Sequence, residues 1–110
     1  MYAVLRLNSF DPDKLAQFPD QLEEFDRIHA SQPGYAGSIV VDLGSGRRFM
    51  VNLWQSENAS KAAFQGLRPE VDRLLTPLLG GPSEFIGAGP VIAEDLGGPA
   101  AGNSHKGRLD

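Results

Sequence analysis

The 110-residue sequence predicts one small α+β domain with the element order β-α-β-β-α-β. Three observations predict it. Four short segments alternate apolar and polar residues at the period of a strand. Two segments between them repeat apolar residues at helical spacing. Clusters of Gly, Pro, Ser and Asp separate the segments and punctuate the order.

Residues 2–8 form the first alternating run, with Ala3, Leu5 and Leu7 on one face and Tyr2, Val4, Arg6 and Asn8 on the other. Ser9-Phe10-Asp11-Pro12-Asp13 supplies turn and helix-start residues. Phe18, Leu22, Phe25 and His29 then recur at helical spacing, and Pro19 suits the first turn of a helix over about 19–31. Pro33-Gly34 stops it. Tyr35 to Leu43 reads as a second strand and Arg47 to Trp54 as a third, joined by Gly44-Ser45-Gly46 in a hairpin. In the third strand Phe49, Val51 and Leu53 oppose Arg48, Met50, Asn52 and Trp54.

Ser56 is a good N-cap, with Glu57 in the first turn of a helix through Ala59, Ala62, Ala63 and Phe64. Gly66 and Pro69 are expected to interrupt it, with Pro69 opening a second segment whose apolar face is Val71, Leu74, Leu75 and Leu78. Glu84 to Asp95 reads as a last, weaker strand, its glycines marking a bulge and Pro90 an edge. The domain is expected to occupy residues 1–96. Residues 97–110, rich in Gly and Pro with almost nothing to bury, read as a flexible tail.

Composition narrows the function. With 14 acidic and 10 basic side chains the net charge is −4, and no basic cluster exceeds Arg47-Arg48, so a nucleic-acid partner is not expected. The absence of cysteine excludes disulfides, thiolate catalysis and Cys-based metal sites, and it fits a cytoplasmic protein. No apolar run approaches the ~20 residues of a membrane span, and no signal-peptide pattern opens the chain. No metal-ligand constellation is present.

Four strands and two helices in this order make a split-βαβ, ferredoxin-like sandwich. Its helices cover one face of the sheet. With the Ala3/Leu5/Leu7, Ile39/Val41/Leu43 and Phe49/Val51/Leu53 set placed beneath them, the other face still carries Tyr2, Val4, Val40, Met50 and Trp54. So large an apolar patch predicts a homodimer, one sheet packed on another.

The Pro33-Gly34-Tyr35-x-Gly37 turn, the Trp54-x-Ser56 junction and the Gly-rich hairpin together resemble antibiotic biosynthesis monooxygenase-like domains over about residues 2–95. The resemblance implies a dimeric α/β barrel of paired ferredoxin-like sheets, each subunit holding a pocket. It also implies oxidoreductase chemistry: oxidation of a small aromatic or quinol-like compound by O2 with no cofactor, neither metal nor flavin. Haem-degrading relatives use a histidine and a tryptophan on the second helix. Residues 57–79 contain neither, although Asn8 matches the asparagine those relatives carry near the end of the first strand.

Cofactor-free oxygenation requires a substrate anion that the protein holds, stabilises and shields from water. On that account Asn8 and Asn52 are amide donors, Arg6 is the cation and Trp54 the stacking platform. Tyr35 and Phe64 line the substrate pocket. His29 is a candidate general base. Each residue has a structural alternative: Asn8 turning the end of a strand, Asn52 bonded at the barrel interface, Arg6 paired with Asp42, Trp54 anchoring the core, Tyr35 simply packed, and His29 serving the helix C-terminus. His105 belongs to the tail. The competing functions are a non-catalytic dimeric module that binds a small ligand, and a proton-transfer enzyme using His29.

Overall fold

A computed structural model describes residues 1–96, and the expected tail lies outside the described residues. Strand β1 (Tyr2–Ser9) leads into a short helix α1 (Pro12–Gln17) and then α2 (Pro19–Ala30). The hairpin strands β2 (Tyr35–Gly44) and β3 (Arg47–Trp54) follow, then α3 (Glu57–Glu70) and β4 (Glu84–Pro90). The sheet is antiparallel throughout, in the order β2-β3-β1-β4.

Local chemistry accounts for the boundaries. Asp11 caps α1 by accepting the N–H groups of Asp13 and Lys14, and Ser56 caps α3 by accepting that of Ala59. The hairpin turn places Gly44, Ser45 and Gly46 all at positive φ. A Cβ on Gly46 would strike the carbonyl of Phe10, whose N–H donates to Gly46.

Three expectations about element boundaries are corrected. The predicted helix over 19–31 is preceded by α1, because Asp11 and Pro12 start a helix of their own before Pro19 starts the next. Neither Gly66 nor Pro69 breaks the second helix. Pro69 lies inside α3, and the chain then widens into a π-helical turn (Val71–Leu75), in which Thr76 N–H donates to Val71 C=O, and a 3₁₀ turn (Thr76–Leu78). The last strand ends at Pro90 instead of continuing to Asp95. Pro90 pairs with Tyr2 as the last pair of the ladder, and Val91 N–H donates to Met1 C=O.

The largest correction concerns the faces. Helices α2 and α3 cover the Val4/Arg6/Asn8 and Met50/Asn52/Trp54 side of the sheet, not the Ala3/Leu5/Leu7 side. One buried cluster joins Phe10, Phe25, Leu74, Leu75 and Leu78; the other joins Trp54, Ala63 and Leu67. The open face therefore carries Ile39, Val41 and Leu43, which are exposed, beside half-buried Leu5, Leu7, Phe49, Val51 and Leu53. No helix among the described residues is long and apolar enough to cross a membrane.

Candidate functional site

Between sheet and helices lies a cavity of about 820 Å³. Strand alternation decides what its sheet wall displays. Val4, Arg6 and Asn8 come from β1, Ser38 and Val40 from β2, and Met50, Asn52 and Trp54 from β3. Helix α2 contributes Phe25, Asp26 and His29, and α3 contributes Ser60, Phe64 and Leu67. The segment Leu79 to Ser83, between the 3₁₀ turn and β4, supplies further lining. Phe64 is 56% exposed and so borders the opening to solvent.

Among the described residues Asn8 and Asn52 are the two buried polar ones, 3% and 9% exposed, and buried amides require partners. Each has a serine. The Ser83 hydroxyl accepts from Arg6 Nε at 3.0 Å and donates to Asn8 Oδ1, while Asn8 Nδ2 donates to Met50 Sδ at 3.1 Å. The Tyr35 hydroxyl donates to Ser38 Oγ at 2.9 Å, and Ser38 donates to Asn52 Oδ1 at 3.0 Å.

His29 sits among rings. Its imidazole lies 5.4 Å from Trp54 and 5.4 Å from Tyr35 in edge-on contacts, and 6.0 Å from Phe25. Burial lowers its pKa, so the neutral imidazole is favoured. One turn earlier, Asp26 has its carboxyl pushed up by burial, an effect that the charge of Arg48 opposes. Burial also lowers the Arg6 guanidinium, and an arginine stays cationic across the physiological range. Among the described residues Arg6 has no carboxylate partner: the ion pairs join Lys61 to Glu57 and Arg73 to Glu24 and Glu70. Its guanidinium lies 5.7 Å from the centre of the Phe85 ring.

All seven candidates from the sequence, Arg6, Asn8, His29, Tyr35, Asn52, Trp54 and Phe64, line this one cavity. The suggested Arg6–Asp42 pair does not form, because β3 lies between β1 and β2. Asp42 instead faces Arg48 in the register and accepts the N–H of Gly44. His29 makes no side-chain bond to its own helix end. Ser38, Ser83 and Asp26 went unnoticed. Asp26 was findable, standing three residues before His29 on the same helical stripe. Ser83, in a loop remote in sequence from Asn8, carried no such signal.

No family model and no curated protein matches the chain. Solved structures do. A protein of unknown function from Nitrosomonas europaea superimposes with a TM-score of 0.68 at 15% identity, covering 88% of this chain and 94% of that one. A candidate antibiotic biosynthesis monooxygenase from the same organism gives 0.66 at 11%, covering 84% and 100%. SnoaB, a cofactor-independent oxygenase from Streptomyces nogalater, gives 0.67 at 16%, covering 84% and 94%. The chain has the antibiotic biosynthesis monooxygenase-like fold. At these identities the likeness establishes the ferredoxin-like architecture, and the roles of individual residues rest on the cavity itself.

Within the antibiotic biosynthesis monooxygenase-like fold of this chain, the cavity can hold a flat apolar body against Trp54 and Phe64. Amide and guanidinium donors from the sheet can meet an oxygen of that body. No three His, Asp or Glu side chains gather to hold a metal ion among the described residues.

Proposed function

We propose that the protein is a cofactor-independent monooxygenase acting on a small aromatic or quinol-like compound. The observation that carries this reading is the convergence of Arg6, Asn8 and Asn52 with the aromatic side chains in one cavity. For an anthrone-type substrate, loss of a proton to a base gives an enolate whose charge the donors stabilise. The enolate supplies the electrons that reduce O2. A carbon–oxygen bond forms at the former CH2, the oxygen–oxygen bond breaks, and the second oxygen leaves as water with the two hydrogens of that carbon. His29, kept neutral by burial, is the candidate base. A cytoplasmic location belongs to the same reading and rests on the cysteine-free sequence.

The functional unit we propose is a homodimer, with a second copy covering the open apolar face of the sheet. A different observation favours a non-catalytic ligand-binding module. Trp54 is only 3% exposed, as a core anchor would be, and its ring is engaged by those of His29 and Tyr35.

Oxygen uptake with a panel of hydroquinones and anthrones separates the two. Consumption above buffer background is expected, and Asn8→Ala or Asn52→Ala should lower kcat by about a hundredfold, the usual effect of losing one oxyanion donor. Uptake at background with every compound, in a protein that still binds them, would leave the binding module.

A further inference from the structure

We propose that Ser83 is a positioning residue that fixes which end of the Asn8 amide faces the cavity, with Ser38 doing the same for Asn52. The sheet wall then selects a ligand with an ionised oxygen over the matching neutral ether. The proposal rests on the reading of the cavity as a site for a small aromatic compound.

Donor and acceptor chemistry carries it. A guanidinium N–H can only donate, so the bond from Arg6 Nε occupies a lone pair of Ser83 Oγ. That oxygen keeps a second lone pair and its hydroxyl proton, and the contact to Asn8 uses the proton, which requires an acceptor there. Only the amide oxygen can accept, so Oδ1 turns to the serine and the NH2 group turns away from it. One N–H reaches Met50 Sδ, a weak acceptor that a ligand oxygen can outcompete. The chain from Tyr35 through Ser38 uses the Asn52 oxygen in the same way and leaves its NH2 group without a partner among the described residues.

The remaining charged or titratable groups on the cavity fit this polarity. Arg6 adds positive charge on the same wall, and Tyr35 has its proton committed to Ser38. Asp26 and His29 belong to helix α2, His29 packed edge-on against Trp54 and Tyr35. The one acidic side chain on the lining thus opposes an anion on the helix side and leaves the sheet side as its seat. Ser38 is exposed and Ser83 half-buried, so neither is a core residue whose truncation would open a buried cavity.

The test uses para-nitrophenol, whose phenolate is yellow, and its neutral methyl ether para-nitroanisole. The wild-type protein should bind the phenolate at least about tenfold more tightly than the ether. It should also hold the bound phenol ionised at a pH where the free phenol is still partly protonated, the released proton passing to buffer. Ser83→Ala should lower that preference severalfold, while Ser83→Thr, which keeps the hydroxyl, should retain it. Ser38→Ala gives an independent arm through Asn52.

Equal affinity of the wild type for both probes would overturn the inference and leave the aromatic-binding reading standing. Binding of neither would overturn both. An undiminished preference in folded Ser83→Ala and Ser38→Ala would show that the serines do not set the polarity.

Discussion

Replacing Val41 by lysine tests the proposed dimer directly. In the single chain Ile39, Val41 and Leu43 leave 42%, 44% and 47% of their surfaces in water. Burying a whole aliphatic side chain contributes roughly 1.5–3 kcal/mol, so covering the remaining half of each is worth about 1 kcal/mol. Counted on both subunits, these three residues supply about 6 kcal/mol before the cost of association is subtracted, and the half-buried Leu5, Leu7, Phe49, Val51 and Leu53 on the same face add to it. Val41→Lys forfeits about 2 kcal/mol of this across the pair and places two ammonium groups in an apolar interface, for a further loss of at least about 2 kcal/mol. The dimer should weaken by roughly a thousandfold. The monomer fold should survive, because this side chain already faces water. Light scattering coupled to gel filtration should report a dimer mass for the wild type at micromolar concentration and a monomer mass for the variant, each with a cooperative thermal melt. A monomeric wild type, or a variant that stays dimeric, would refute the reasoning.

The other expectations concern stability and ligands. Leu78 is fully buried against Phe10, Phe25, Leu74 and Leu75, so Leu78→Ala should remove about 3 kcal/mol and lower Tm by roughly 10–20 °C in a circular dichroism melt; a shift within error would contradict the assigned core. The folded pKa of His29 lies below its ordinary 6.5, so the unfolded chain binds the proton more readily. Its contribution is intact above about pH 6.5 and is lost as pH falls from there through the lower folded value. Melts from about pH 7.5 to about pH 5 should show the wild type losing stability relative to His29→Gln, and parallel profiles would argue against the burial. Haem titration should give no sharp Soret shift and no saturable site, since α3 carries no histidine and His29 is enclosed by rings. A one-to-one complex surviving gel filtration would reverse that.

Much of the site was legible because strand alternation is a strict geometric rule. Arg6 and Asn8 stand at the same parity in one strand, and Asn52 and Trp54 do so in another. Once β1 and β3 pair, with Arg6 opposite Met50 and Val4 opposite Asn52, all four must share a face. His29 was legible for the analogous reason, falling on the helical stripe of Leu22 and Phe25. Ser83 was not legible, because an irregular loop has no period from which its direction can be read. The suggested Arg6–Asp42 pair failed for want of strand order, which alternation within a strand does not contain.

What the sequence by itself determined was the element order, the hairpin, the helix caps and the division of each strand into two faces, since all are set by neighbours within a few residues. Which face lies under the helices was decided only by the tertiary structure. Both faces carry large apolar side chains, so burial alone does not choose between them. The helices stand over the mixed face around a cavity whose amide oxygens accept from Ser38 and Ser83, one of them 75 residues from its asparagine. The opposite face, where Leu5, Leu7, Ile39, Val41, Leu43, Phe49, Val51 and Leu53 meet, is left uncovered by the helices.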